Sequence, residues 1–378
     1  MTTRRPSLIV DPAALEDDPY PAYEAVRDMG GVAWIEPLGM WWVTGHADVR
    51  AILGDPEHFA VGTDASLVRD IFGENMLTLD GKRHARLREQ YRGMFAPAEV
   101  KRSLTPKIEA IANRLIDGFV GLEQVDLKPS YAARLPVLTM LALFGLDEGV
   151  EGDVRRWYDA FGAALANFSG DPEVQAKGAA AAAEFRAYFG GGEEAASNAL
   201  LIFFGGISTV EGLILNTLYA AATHGCPLGP HNVDRAIEET MRWLSPVQSA
   251  TRHVVHARGP FEVGETVNCM IAAANRDPAV FSRPGQWDLT RSSGASHLGF
   301  ASGPHFCLGN HLARLEARIA ILCLHERLDS ARLNPTFAGE AGCRIQGSEF
   351  RHPTHLWLGI VPAISAGMDS TCASKGTA

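Results

Sequence analysis

The stretch from Phe300 to Leu322 limits what this chain can become more than any other. Its first half, Phe300-Ala-Ser-Gly-Pro-His-Phe-Cys307, mixes glycine, proline and aromatics with neither a helical nor an alternating period, which is loop chemistry. Its second half carries Leu308, Leu312, Leu315, Ile319 and Leu322 at helical spacing, so a long apolar-faced helix is predicted to begin just after the cysteine. A cysteine at a helix N-terminus meets the positive end of the peptide dipoles and unpaired N–H groups, both of which favour thiolate. Gly309 leaves room for a backbone or a flat ligand beside the sulfur. The expectation is one buried, ionised sulfur offered as a ligand. Two other readings use the same residues. Cys307 could be a small packed hydrophobe, or part of a zinc site with His305 and His311, although no second cysteine pair stands at zinc spacing.

Around this stretch the chain of 378 residues holds no Ser/Gly tract, charge block or repeat. One large domain over residues 1–366 is expected, with a small, polar, disordered tail over 367–378. A net charge of −10 argues against nucleic acid as the main partner. The six cysteines are scattered without framework spacing, which fits a reducing compartment. No apolar run approaches ~20 residues and the N-terminus is polar, so neither a membrane span nor a signal peptide is expected. The predicted location is the cytoplasm and the predicted state a monomer.

Several constellations elsewhere carry chemistry. His84 and Arg88 lie four apart on a predicted helix and share a face, which suits an anionic ligand or plain solvated surface. The run Asn198–Thr223 reads as the longest apolar helix and contains Gly205 and Gly206. Each mid-helix glycine costs roughly 1 kcal/mol relative to alanine, and close approach of a flat ligand is a reason to keep them. The hydroxyls of Ser208 and Thr209 could hold a proton-carrying chain, or bond back within the helix. Glu211 lies about 200° around that helix from Thr209 and is not an evident proton source for it. Glu239 and Arg242 stand at i,i+3, a pair worth a few tenths of a kcal/mol when exposed. Trp157, Tyr158, Phe161 and Phe168 either roof a pocket or pack, and the segment between Phe59 and Met76 reads as loop, with Asp64 within it.

The order Phe300, Gly303, His305, Cys307, Gly309 resembles the haem-binding loop of cytochromes P450, and the resemblance runs from about Asp18 to Pro362. It implies a mainly α chain with the cytochrome P450 fold and a small β-rich region near the N-terminus. It also implies haem b (iron protoporphyrin IX), with Cys307 as the iron ligand, Phe300 shielding the sulfur, and His84, Arg88, Arg252, His297 and His305 neutralising the propionates. On the distal helix Gly205 and Gly206 take the place of the family's glycine pair, and Thr209 that of its oxygen-activating threonine. Ser208 stands where an acid normally precedes that threonine. Glu239 and Arg242 match the family's structural ion pair, completed by Arg291. Val247 to Ala250 would edge the substrate pocket, with Gln346–Ser348 as its tip. The chain is shorter than the family pattern near 190–192 and 225–231. The implied activity is insertion of one oxygen atom from O2 into an apolar small molecule, by hydroxylation or epoxidation. Electrons would come from a separate ferredoxin or flavodoxin docking near Arg83, Arg86, Arg92 and Arg314. Peroxide-driven peroxygenation, oxidative coupling or desaturation, and more remotely haem-based sensing, use the same site.

Overall fold

In the computed structural model, which describes residues 5–62, 66–167, 170–291, 296–328 and 343–359, proline and glycine punctuate the helices much as the sequence predicts. Asp64, Phe168, Pro362 and the tail 367–378 lie outside the described residues. Near the N-terminus come α1 (Pro12–Asp17), α2 (Tyr20–Asp28), α3 (His46–Leu53) and α4 (Leu67–Phe72). The helical body follows with α5 (Gly81–Arg92), α6 (Pro97–Asp117), α7 (Leu135–Phe144), α8 (Glu151–Leu165) and α9 (Pro172–Phe189). It is completed by α10 (Glu193–Gly206), α11 (Ser208–Thr223), α12 (Val233–Trp243), the short α13 (Ile271–Ala274) and α14 (Asn310–Arg327). Proline occupies the first turn of α1, α2, α6, α7 and α9, where its missing N–H costs nothing.

The strands are β1 (Ser7–Leu8), β2 (Val32–Ile35), β3 (Met40–Val43), β4 (Phe59–Ala60), β5 (Gln124–Asp126), β6 (Ala250–Val254) and β7 (Thr266–Cys269). Three more, β8 (Ile345–Gln346), β9 (His352–Pro353) and β10 (Trp357–Gly359), close the described chain. Six of them form one sheet in the order β1-β2-β3-β7-β6-β4, which joins the N-terminal strands to the segment after α12. Val43 pairs with Cys269 and Arg252 with Val267, so Arg252 is fixed by register with its side chain buried.

The largest apolar core gathers α6, α7, α11 and α14, with Ile108, Leu141, Ile214 and Leu324 at or near zero exposure. Two expectations are corrected here. Leu67–Phe72 is a helix, because Ser66 accepts from the Arg69 N–H and caps it. The predicted helix over 198–223 is two helices, which together make one stretch, Glu193–Thr223, long and apolar enough to cross a bilayer, yet with 61% of its most apolar part buried inside the fold. Between α9 and α10 the chain turns within Gly190, Gly191 and Gly192, all at positive φ, a region open to glycine at no steric cost.

Candidate functional site

The Cys307 loop closes on itself. Cys307 N–H donates to the Phe300 carbonyl at 2.9 Å, Phe306 N–H to Gly303 at 3.0 Å, and the Asn310 amide to the Cys307 carbonyl at 2.9 Å. Gly303 has φ +73°, and a Cβ there would stand 2.4 Å from the Leu53 carbonyl oxygen, so only glycine lets the loop seat on α3. The helix α14 starts three residues after the cysteine, as predicted. The ionised sulfur is not what the protein alone provides. Burial pushes the Cys307 thiol up, and the Gly309 N–H, Arg88 and Arg314 only oppose this. A bound metal cation would supply what the helix start does not, since coordination deprotonates a thiol.

Phe300 is held by its neighbours. The Arg314 guanidinium lies 4.3 Å over its ring and the His297 ring 5.9 Å away. Both basic groups converge on Glu238, with His297 Nε2 at 3.1 Å and an Arg314 nitrogen at 2.9 Å. Burial pushes the Glu238 carboxyl up, but its bonds to Arg314 and His297 outweigh this and hold it at about 2. His297 is engaged on both ring nitrogens: its Nδ1 accepts from the Gly299 N–H and its Nε2 meets Glu238. Glu238 was passed over beside Glu239, although residues one apart on a helix face about 100° apart and serve different partners.

The remaining basic residues divide into two kinds. His305 Nε2 meets Asp80 at 3.0 Å, and Asp80 also accepts from the Val61 and Gly62 N–H groups. Arg88 donates to the Phe306 carbonyl, which ties α5 to the cysteine loop. His84 and Arg252 have no such partner. His84 is buried on α5 with Nε2 lacking any hydrogen bond, and burial, then His305 and Arg88, push its ring down to about 4. Arg252 is buried, donates to its neighbour's carbonyl on Thr251, and has no ion pair among the described residues. A buried orphan ring nitrogen and a buried cation without a counter-ion fit an anionic group. The residues present thus suit the two carboxylates of haem.

On the other side, α10 ends at Gly206 and Ile207 leaves helical geometry at φ −98°, ψ −81°. Thr209 Oγ1 donates to the Gly205 carbonyl at 2.7 Å, the back-bond weighed from sequence. A Cβ on Gly205 would meet nothing within 4 Å, so its backbone borders open space. At Gly206 a Cβ would stand 2.7 Å from the Met140 sulfur, so the α7 side chain packs closely against the backbone there. Ser208 sits beside the Tyr158 hydroxyl. Tyr158 stacks on Phe204 at 5.2 Å, and Phe204 also meets Phe72 at 5.3 Å and Phe350 at 5.8 Å. Trp157 turns the other way and packs on Phe185. Gln346–Ser348 is not the pocket tip, since Gln346 bonds Asp17 and Ser348 bonds Glu16 on α1. Phe350 of the segment that follows meets Phe204 of the distal helix.

Glu239 and Arg242 are buried at 7% and 2% side-chain exposure, with Arg242 nitrogens 2.9 and 2.7 Å from the carboxylate. Arg291 joins at 3.2 Å, as predicted. Among the surface arginines, Arg83 pairs with Glu74, Arg86 with Glu194 and Arg92 with Glu89, all exposed. Arg314 is corrected: it is engaged by Glu238 and Phe300 and does not belong to an exposed docking set.

Residues 232–329, from the approach to α12 to the end of α14, match the family model for cytochrome P450. Cytochrome P450 monooxygenase PikC of Streptomyces venezuelae is 31% identical over 370 residues, across 84% of this chain and 85% of that relative. The 6-deoxyerythronolide B hydroxylase of Saccharopolyspora erythraea is 28% identical over 374 residues, across 84% and 90%. Among solved structures, that of P450BioI in complex with hexadec-9Z-enoic acid ligated acyl carrier protein has a TM-score of 0.80 at 26% identity, covering 90% of this chain and 98% of that one.

Proposed function

The chain belongs to the cytochrome P450 family, a haem-thiolate monooxygenase of bacterial kind, and we propose that it binds haem b through Cys307 and oxygenates an apolar small molecule. The observation that carries the site assignment is the pairing of a closed cysteine loop with two buried basic groups, His84 and Arg252, that lack an anion. In this reading Cys307 is the iron ligand, and His84 and Arg252 hold the propionates together with His305. Phe300, fixed by Arg314 and His297, keeps water from the sulfur. When bound, haem supplies oxygen activation, which thiolate donation directs toward O–O cleavage.

The protein's own part on the distal side is proton handling and exclusion of water. Thr209 gives its hydroxyl proton to the Gly205 carbonyl, so its oxygen stays free to accept and to hold a proton-bearing partner beside the break. Tyr158, Phe204 and Phe350 form one aromatic cluster near Ser208, with Phe72 and Phe161 packed behind it in the core, which supports an apolar substrate. One relative's name specifies 6-deoxyerythronolide B, and another was solved with an acyl group on a carrier protein, so both free and carrier-borne aliphatic substrates belong in the search. We place the enzyme in the cytoplasm, as a monomer with one catalytic domain over 1–366, supplied with electrons by a separate ferredoxin or flavodoxin. Ser208 in the acid's position favours, as a second reading, use of hydrogen peroxide.

Turnover under 18O2 with a surrogate ferredoxin and its reductase tests this. A panel of macrolide, fatty-acid and terpene probes should yield product carrying one labelled oxygen. Equal turnover with peroxide alone would favour the second reading, and product oxygen drawn from water would contradict both.

A further inference from the structure

Ser208 and Glu211 lie three residues apart on α11 and share a side of it, whereas Thr209 does not. Both line one cleft of about 360 Å³, whose other walls include Tyr158 of α8, Lys128 and His352. Glu211 is only 7% exposed, and its nearest cation, Lys128 Nζ, stands 3.9 Å away, beyond hydrogen-bond reach. The Tyr158 hydroxyl lies beside Ser208, and its ring is fixed by stacking on Phe204. An intact helix is a wall to protons, because its main-chain groups are mutually satisfied. Here the ladder is interrupted at Ile207, between α10 and α11, with Ser208 lining the cleft and Thr209 bonded back to Gly205.

We infer that Glu211 feeds protons through Tyr158 and Ser208 across this interruption to Thr209, taking the part of the acid that Ser208 replaces. The inference rests on the monooxygenase reading above. Tyr158, Ser208 and Thr209 each pass on one proton and receive another, so all three hydroxyls return unchanged, and the proton leaves Thr209 for the oxygen being reduced beside it. Glu211 ends as a carboxylate near Lys128 and regains its proton from water in the cleft, and no oxidant or reductant enters. Tyr158 and Glu211 act at a distance from the reacting atoms and are positioning and relay residues.

The electrostatics of the cleft agree. Burial raises the Glu211 carboxyl above the ordinary range, Lys128 and Arg155 oppose this, and Asp159 adds to it. The carboxyl therefore keeps a proton nearer neutrality than an exposed glutamate does. Burial raises Tyr158 as well, so it serves as a neutral hydroxyl. Burial and Lys128 hold His352 down at about 4, which leaves it uncharged and no rival store of protons. Asp126 at the rim is engaged by His355 at 2.6 Å.

The test uses haem-loaded wild type, Glu211→Gln, Glu211→Asp and Tyr158→Phe. Infrared difference spectra, wild type minus Glu211→Gln, should show a protonated-carboxyl band that titrates and shifts in D2O. Oxygen consumption driven by a surrogate ferredoxin and reductase should fall about tenfold in Glu211→Gln and Tyr158→Phe, with a larger solvent isotope effect, and recover in part in Glu211→Asp. Tyr158→Phe keeps the ring stack and guards against loss of fold in the others. No carboxyl band, or unchanged rates and isotope effects with the thiolate spectrum intact, would overturn the relay while leaving the family site standing. Loss of the thiolate spectrum in wild type would instead overturn the site assignment on which the relay depends.

Discussion

The rings of His84 and His305 lie 4.2 Å apart at 37°, one on α5 and one in the cysteine loop, and only His305 has a carboxylate partner. Such an arrangement leaves His84 Nε2 free for a second anion. His84→Phe keeps the ring in place and removes the donor. A hydrogen bond to a charged group is worth about 1.5–3 kcal/mol, so haem should be lost roughly tenfold to a hundredfold faster to an acceptor globin. Retention equal to wild type would remove His84 from the propionate site.

The Glu239, Arg242 and Arg291 cluster is buried, and Arg242 also donates to the carbonyls of Asn275, Pro284 and Gln286. Arg242→Ala would leave a buried carboxylate and several carbonyls short of a partner. The cost should be about 3–5 kcal/mol in denaturant unfolding of the haem-loaded protein, far above the few tenths of an exposed helical pair. Arg291→Ala, whose side chain is more exposed, should cost less. Equal and small losses would mean that the cluster is structurally idle.

These two cases show what the sequence could and could not disclose. Spacing alone placed Cys307 before α14 and Glu239 beside Arg242, because both relations are local and helical geometry fixes them. It could not show that the pair is buried, that Gly206 answers to Met140, or that His297 answers to Glu238, because those contacts join elements far apart in the chain. Phe204 and Phe350 were missed for the same reason: aromatic residues in apolar runs carry no mark of the partner they will face. Glu211 points about 200° around the helix from Thr209, but its relation to Ser208 at i,i+3 was already legible.

Glu316 gives a pH signature. It is fully buried on α14, and neither carboxylate oxygen completes a sound hydrogen bond, although Thr139 lies nearby. Burial pushes its carboxyl from 4.5 up to about 8, with Thr139 opposing. Between those values the unfolded chain has released a proton that the folded chain keeps, so this group lowers stability as pH rises from about 4.5 to about 8. Glu316→Gln should remove that slope, gaining stability on the order of a few kcal/mol at pH 8 over wild type and nothing at pH 4. A difference that does not change with pH would contradict the assignment.

Arg83 and Arg92 are exposed and paired only with exposed carboxylates, and Phe306 in the cysteine loop is itself 40% exposed. Reversing both charges, Arg83→Glu with Arg92→Glu, should slow the first electron transfer from a surrogate ferredoxin about tenfold at low salt. The difference should shrink as ionic strength rises. A loss that is independent of salt would point to disturbed packing, and no loss would place docking elsewhere.

The central claim is that Cys307 is the iron ligand. The most direct measurement is the carbon monoxide difference spectrum of the dithionite-reduced, haem-loaded protein, with Cys307→His beside it. The account predicts the strongly red-shifted Soret band of thiolate ligation in wild type and its loss, with haem retained, in Cys307→His. A band at the position of neutral thiol or histidine ligation in wild type, or a red-shifted band that survives in Cys307→His, would contradict it.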